Sequence, residues 1–194
     1  MANDETRFTR ESAEVLYDLQ PIVRVTREDV DFLKETAKHN ERKRIRLCTH
    51  GSIEDTLHEM VITHAKGTYV IPHKHVGKIE SFHVIEGTVD VVVFDDAGTV
   101  TGVSSMGDYQ SGLPFYHRIS EPAFHTLLIT SDVLVFHEIT NGPFNRSDTL
   151  WASWAPEETE TALVVDFMTN LELSLERFNL AGNPTKGSLN RESA

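Results

Sequence analysis

Two histidines and a glutamate stand close together in the stretch Gly67 to Gly87, at His73, His75 and Glu80. On a β-strand residues two apart leave the same face, so His73 and His75 project together, about 7 Å apart at their Cα atoms. Val76-Gly77-Lys78-Ile79 suits a tight turn, with glycine supplying whatever backbone angle it needs. Glu80 then opens a returning strand that can set its carboxylate beside the two imidazoles. Neutral imidazole nitrogen and carboxylate oxygen together suit one divalent transition metal: Fe, Mn, Co, Ni, Cu or Zn. Pro72 holds the backbone extended just before these residues.

The neighbouring elements must present that group inward. Tyr69 and Ile71 share parity with His73 and His75, so one extended strand would carry ring, aliphatic chain and imidazoles along one face, and Tyr69 could line a pocket. Phe82 and Val84 keep the parity of Glu80, whereas His83 does not and is expected on the opposite face. Leu57–Thr63 and the β-branched run Val89–Phe94 read as strands, and Ala65-Lys66-Gly67 as a turn. Asp95-Asp96-Ala97-Gly98 reads as a hairpin turn with a return strand over Thr99–Ser104. Two further histidines compete to complete the group. His117 follows a glycine-marked loop. His125 follows the proline turn Glu121-Pro122-Ala123 and opens the strand Thr126–Thr130, repeating the placement of Glu80, and is the preferred fourth ligand. His137 and Glu138 have opposite parity on the strand after Ser131-Asp132, so at most one faces inward. Glu138, or His117 if it is not a ligand, could then orient a metal-bound imidazole, as such rings usually require.

Outside this region the pattern is helical. Val15, Leu16 and Leu19 mark one face of a short helix ending at Pro21. Thr26 is a helix N-cap, with Glu28 and Asp29 in the first turn and Val30, Leu33 and Ala37 as the apolar stripe; this helix is expected against the outside of the strands. Leu163, Phe167, Leu171, Leu175 and Phe178 form a second stripe. It either folds back on its own strands or crosses to a second subunit, giving a homodimer. From Ala181 the Gly, Asn, Pro and Ser content indicates a loose end. The dense basic run Glu41–Arg46 has two readings. Cations complement a helix C-terminus and then enter a solvated strand, or Arg44 and Arg46, which share parity, grip an anionic ligand.

Gly67, His73, His75, Glu80 and Gly87, with five, one, four and six residues between them, resemble the first motif of the cupin family, with each defining position filled. The second motif is less complete: Leu113 stands where proline would, its histidine falls to His117, and Glu121 replaces its asparagine. Further likeness runs through Arg44-Ile45-Arg46, Tyr69 to Glu80, Phe94 to Gly98, Phe124-His125-Thr126-Leu127, Glu138 to Phe144 and Trp154 to Glu158. Over roughly residues 40–158 the chain is similar to the small WbuC-type cupin metalloproteins associated with surface-polysaccharide synthesis. The resemblance implies an all-β fold, the cupin double-stranded β-helix or jelly-roll barrel, with flanking N- and C-terminal helices. It also implies a metal inside that barrel, and it favours His125, since those proteins place a histidine after an aromatic there. The expected organisation is a helical lead-in over 1–40, the barrel over 41–158, and a helix and tail over 159–194.

With 18 basic and 30 acidic residues among 194, the net charge is −12, which argues against nucleic-acid or anionic-membrane binding. The one cysteine excludes an intrachain disulfide and fits a reducing compartment. Residues 1–20 lack the apolar core of a secretory signal, and nothing approaches a membrane span, so the expectation is a soluble cytoplasmic protein. The function expected is a metal-dependent enzyme, of isomerase, epimerase or oxygenase type, acting on a small polar or sugar-derived substrate. Arg44, Arg46, Tyr69 and Lys78 are the candidate substrate contacts. The alternative is a non-catalytic, metal-dependent sugar-binding or sensor module.

Overall fold

The structure, a computed structural model, describes residues 7–180; the end expected to be loose from Ala181 lies outside them. Twelve strands run in chain order: β1 Thr9–Arg10, β2 Val15–Tyr17, β3 Arg44–Cys48, β4 Leu57–Ala65, β5 His73–His75, β6 Glu80–Glu86, β7 Thr88–Phe94, β8 Val100–Gly107, β9 Tyr116–Ile119, β10 Phe124–Ile129, β11 Val133–Asn141 and β12 Thr149–Trp151. Helix α1 spans Arg27–His39 and α2 spans Thr161–Leu180. One sheet has the order β1-β2-β3-β4-β11-β6-β9 and the other β12-β5-β10-β7-β8. Their central halves, 4-11-6-9 and 5-10-7-8, are the two interleaved Greek keys of a jelly roll, so the fold is the all-β double-stranded β-helix of cupins. The pairings are antiparallel except for β2 on β3.

Strand alternation sorts side chains into an inside and two outsides. Met60, Ile62, Phe82, Val84, Val89, Val91, Leu127 and Phe136 meet between the sheets with Cys48. On the outer face of the longer sheet, Ile45, Leu47, Val61 and Val135 are covered by Leu33 and Ala37 of α1. That helix starts where expected: the Thr26 hydroxyl accepts from the Asp29 amide at 3.4 Å, and the Asp29 carboxylate accepts from the Thr26 amide at 2.7 Å, a reciprocal cap. On the outer face of the shorter sheet, Val92, Phe94 and Leu128 are covered by Leu171 and Leu175 of α2, with Phe167 and Met168 beside them. The C-terminal stripe therefore folds back on its own barrel. Leu163, also placed in that stripe, is exposed.

Two local expectations are corrected. The segment read as a short helix around Val15 and Leu16 is strand β2, with Leu16 buried under α1 and Val15 and Tyr17 turned toward the inner core. Val15, Leu16 and Tyr17 alternate as well as they recur helically, and the free edge of β3 decides for the strand. Leu19, the third residue of the expected stripe, is exposed. The long strand expected from Tyr69 is also interrupted, since pairing begins only at His73. Tyr69 consequently lies against Phe167 of α2, with ring centroids 6.0 Å apart, and donates its hydroxyl to the Pro156 carbonyl at 2.9 Å. Its neighbour Val70 faces the inner core instead.

Tight backbone approaches fix the turns around the barrel. Gly87 has φ 91°, and a Cβ there would come within 2.1 Å of the Val133 carbonyl oxygen, so only glycine fits between β6 and β7. Gly77, in the turn between His75 and Glu80, has φ 72°. Among the described residues no helix is long and apolar enough to cross a membrane.

Candidate metal centre

Three residues make up β5, and alternation sends His73 and His75 inward while Lys74 turns out to Asp96 at 2.7 Å and to the Phe124 ring. On one side β5 pairs with β10, placing His125 directly opposite His73. On the other side it pairs with β12, placing Trp151 opposite His73 and Thr149 opposite His75. Glu80, the first residue of β6, arrives from the facing sheet. The ligand atoms of His73, Glu80 and His125 lie within 4.8 Å of one another. His75 Nε2 joins them 3.1 Å from Glu80 Oε2, and His125 Nε2 is 3.8 Å from the same oxygen.

The far nitrogen of each ring is held. His73 Nδ1 is 2.8 Å from the Ile71 carbonyl oxygen and His125 Nδ1 is 3.0 Å from that of Ala123. A carbonyl only accepts, so each Nδ1 carries the proton and each Nε2 presents a lone pair to the centre. His75 Nδ1 meets the Thr149 hydroxyl at 3.1 Å. A hydroxyl donates or accepts, so His75 can give an Nε2 proton to Glu80 or present its Nε2 lone pair, with Thr149 satisfied either way.

The turn between His75 and Glu80 is clamped from β11 and the segment after it. Asn141 Oδ1 accepts from the Ile79 amide at 2.7 Å, and Lys78 Nζ donates to the carbonyls of Asn141 and Pro143 at 3.3 and 3.2 Å. The Val76 amide donates to the Asp148 carbonyl at 2.8 Å.

The protonation states suit a cation. Burial, then the neighbouring His125, lowers the His73 pKa to about 4, so its ring is neutral at pH 7. Burial opposes ionisation of Glu80, but the hydrogen bond from His75 and the histidine charges outweigh it and hold the carboxyl down to about 2. Three imidazole rings and one carboxylate, with outer hydrogen bonds on the rings, fit a divalent transition metal without any soft thiolate.

The other expected residues fall elsewhere. His117 lies on the inner face of β9, opposite Phe82 with ring centroids 5.5 Å apart, and burial followed by the charge of His125 lowers its pKa. It is not among the converging ligand atoms. His83 is exposed beside Phe115, on the outside as its parity requires. Arg44 is paired with Glu14 at 3.0 Å and Glu158 at 2.9 Å, next to Arg42, which binds the same two carboxylates. Lys78 is occupied with the carbonyls just named. Tyr69 points to α2. Glu138 faces inward, as Phe136 does, but it holds none of the three rings, since Ile71, Ala123 and Thr149 take those places. Burial, then Glu80, pushes the Glu138 pKa up to about 8, against the opposing charge of Arg46.

Thr149 and Trp151 escape the sequence reading. The Trp151 ring lies 5.4 Å from His73 and is half-exposed, so it walls one side of the group. The signal that could have found them is the β-rich triplet Thr149-Leu150-Trp151, whose alternation puts its first and last residues on one face.

A family described as "Domain of unknown function (DUF6016)" matches residues 25–106. No curated protein matches the chain. Among solved structures, oxalate decarboxylase from Lactobacillus farciminis aligns at 18% identity and TM-score 0.40, over 50% of this chain and 27% of its own. The capsular polysaccharide assembling protein CapF from Staphylococcus aureus aligns at 19% and 0.42, over 50% and 27%. A sugar phosphate isomerase of the cupin superfamily from Silicibacter pomeroyi aligns at 16% and 0.36, over 45% and 52%. This chain thus spans only part of the length of each.

Proposed function

We propose that the protein is a metal-dependent enzyme in which His73, His75, Glu80 and His125 hold one divalent transition metal inside the barrel. Its substrate is a small polar, sugar-derived molecule, and its chemistry is of isomerase, epimerase or oxygenase type. Surface-polysaccharide synthesis is the setting suggested by the WbuC-type likeness. The observation that carries this reading is the orientation of three inward imidazoles, each with Nδ1 engaged and Nε2 turned toward a buried, ionised carboxylate.

When bound, such a metal supplies Lewis acidity toward a carbonyl or hydroxyl oxygen, or a site for dioxygen. The protein's own contribution is positional. Ile71 and Ala123 fix two tautomers, Thr149 accommodates both tautomers of His75, and Asn141 with Lys78 fixes the turn that delivers Glu80. Trp151 presents an apolar wall beside His73. Glu138 and His117 line the same inner face and can exchange hydrogen bonds with a substrate oxygen.

Elemental analysis of freshly purified protein tests the reading first. About one equivalent of transition metal is expected in the parent and in His83→Ala, and a small fraction of that in His125→Ala. Equal metal in the parent and in His125→Ala removes His125 from the ligand set. Sugars, sugar phosphates and nucleotide sugars are then screened for binding and for turnover, with and without air and with several metals. Binding without turnover under all these conditions assigns the protein to the sugar-binding or sensor class instead.

A further inference from the structure

Two ionisable side chains on the inner face of the longer sheet, Arg46 and Glu138, have no side-chain partner among the described residues. Arg46 pairs in register with Ile62, and shares its face with Cys48, both members of the inner core. Glu138 pairs with Met60 and Phe82 on that same face. Among the described residues, neither the Arg46 guanidinium nor the Glu138 carboxyl makes a hydrogen bond or an ion pair. Arg42 and Arg44, in the same basic run, are by contrast neutralised by Glu14 and Glu158. Arg46 is solvent-exposed although its strand parity points inward, so the inner face is open at that position. Glu138 is densely surrounded by protein yet retains some accessible surface. Glu138 feels the charges of Glu80 and of Arg46, and Cys48 feels both Arg46 and Glu138. In register, Glu138 lies two residues from Thr140, the strand partner of Glu80, and two residues from Phe136, which like Arg46 pairs with Ile62, so Glu80, Glu138 and Arg46 step along the inner wall from the histidine group to the exposed guanidinium.

An unpaired carboxyl in such surroundings is costly unless something binds it, and apolar residues would pack equally well beside Met60 and Phe82. We propose that Arg46 and Glu138 form a substrate subsite, in which Arg46 binds an anionic group, carboxylate or phosphate, and Glu138 binds a hydroxyl nearer the histidines. This rests on the reading of the barrel interior as a small-molecule site and narrows the substrate to a polyhydroxylated acid rather than a neutral sugar. An arginine fork matches both anions, and one charge-assisted hydrogen bond lost there corresponds to about 10- to 100-fold in affinity.

The test is calorimetric titration with gluconate, glucose 6-phosphate and glucose, using the full chain both metal-loaded and metal-free. The expected result is that at least one of the two acids binds at least tenfold more tightly than glucose. Arg46→Ala should remove that advantage, Arg46→Lys should retain part of it, and Glu138→Gln should weaken the acid without restoring glucose to parity. Arg118→Ala, on the outer face of β9, removes one positive charge of the same kind and should bind as the parent does. The two acids separate a carboxylate site from a phosphate site. Thermal melting and metal content of each variant separate loss of the subsite from loss of fold or of metal. If the parent holds no metal, the metalloenzyme reading falls while Arg46 dependence in the metal-free protein still decides this proposal. The proposal is overturned if neither acid binds more tightly than glucose, or if Arg46→Ala and Arg118→Ala behave alike.

Discussion

Single residues in this barrel illustrate how burial sets protonation and how protonation sets stability. His64 packs edge-on to Phe136 with ring centroids 5.5 Å apart, and its Nδ1 has no hydrogen-bond partner among the described residues. Burial, reinforced by Arg44, lowers its pKa to about 3. The folded protein therefore binds a proton here less readily than the unfolded chain. The contribution is complete above an unfolded pKa of about 6.5 and is lost as pH falls toward 3, at about 1.4 kcal/mol per pH unit. Melting curves between pH 7 and pH 4 should fall more steeply for the parent than for His64→Phe, and parallel curves would mean that His64 is not protonated on unfolding. Thr149 is the second case. Thr149→Val keeps the shape of β12 but removes the hydroxyl on His75 Nδ1, and loss of such an outer hydrogen bond costs about 10- to 100-fold in metal affinity. Competition with a chelator of known affinity measures it; an unchanged constant would show that the hydroxyl does not orient His75.

Elements work here by covering faces that strands leave apolar. Helix α2 lies over Val92, Phe94 and Leu128, and its Leu171 and Leu175 are almost fully buried. Each such side chain contributes about 1.5–3 kcal/mol on burial. Ending the chain at residue 160 should expose that sheet face and either lower the melting temperature sharply or produce a larger species by light scattering. Leu171→Ala is the milder form, with an expected loss of about 2–5 kcal/mol in denaturant unfolding. A truncated protein unchanged in both stability and mass would mean that the helix does not hold the sheet. Helix α1 does the same on the opposite side, with Leu33 and Ala37 over Ile45 and Leu47. The two helices brace the two sheets from outside, which leaves the inner face free to carry histidines and carboxylates.

At the scale of the whole molecule, the residues proposed to hold the metal come from both sheets: β5 and β10 on one side, β6 on the other. A metal held by all of them ties the sheets together and should stabilise the fold by mass action. At a free metal concentration a thousand times the dissociation constant this amounts to about 4 kcal/mol. For a chain of this size, that is roughly 10 °C in melting temperature. Removing metal with a chelator and restoring it should move the melting point down and back by about that amount. No shift on removal or return would argue against a metal bridging the sheets. The net charge of −12 bears on partners at the same scale, since an acidic surface repels polyanions.

Local spacing was enough to read that His73 and His75 share a face, that a glycine turn follows, and that Glu80 opens the returning strand, because these depend on strand period and turn chemistry within a few residues. The N-cap of α1 and the apolar stripe of α2 were legible for the same reason. The jelly roll itself was legible through the filled cupin motif rather than through any single strand. Tertiary pairing decided the rest. Val15-Leu16-Tyr17 became a strand because β3 offered a free edge, and Tyr69 turned to α2 because pairing starts only at His73. The meeting of His125 with His73, 52 positions earlier in the chain, depends on β10 lying beside β5. Thr149 reaches His75 through a third strand. A sequence states which face each side chain leaves from; only the folded sheet states which distant face it meets.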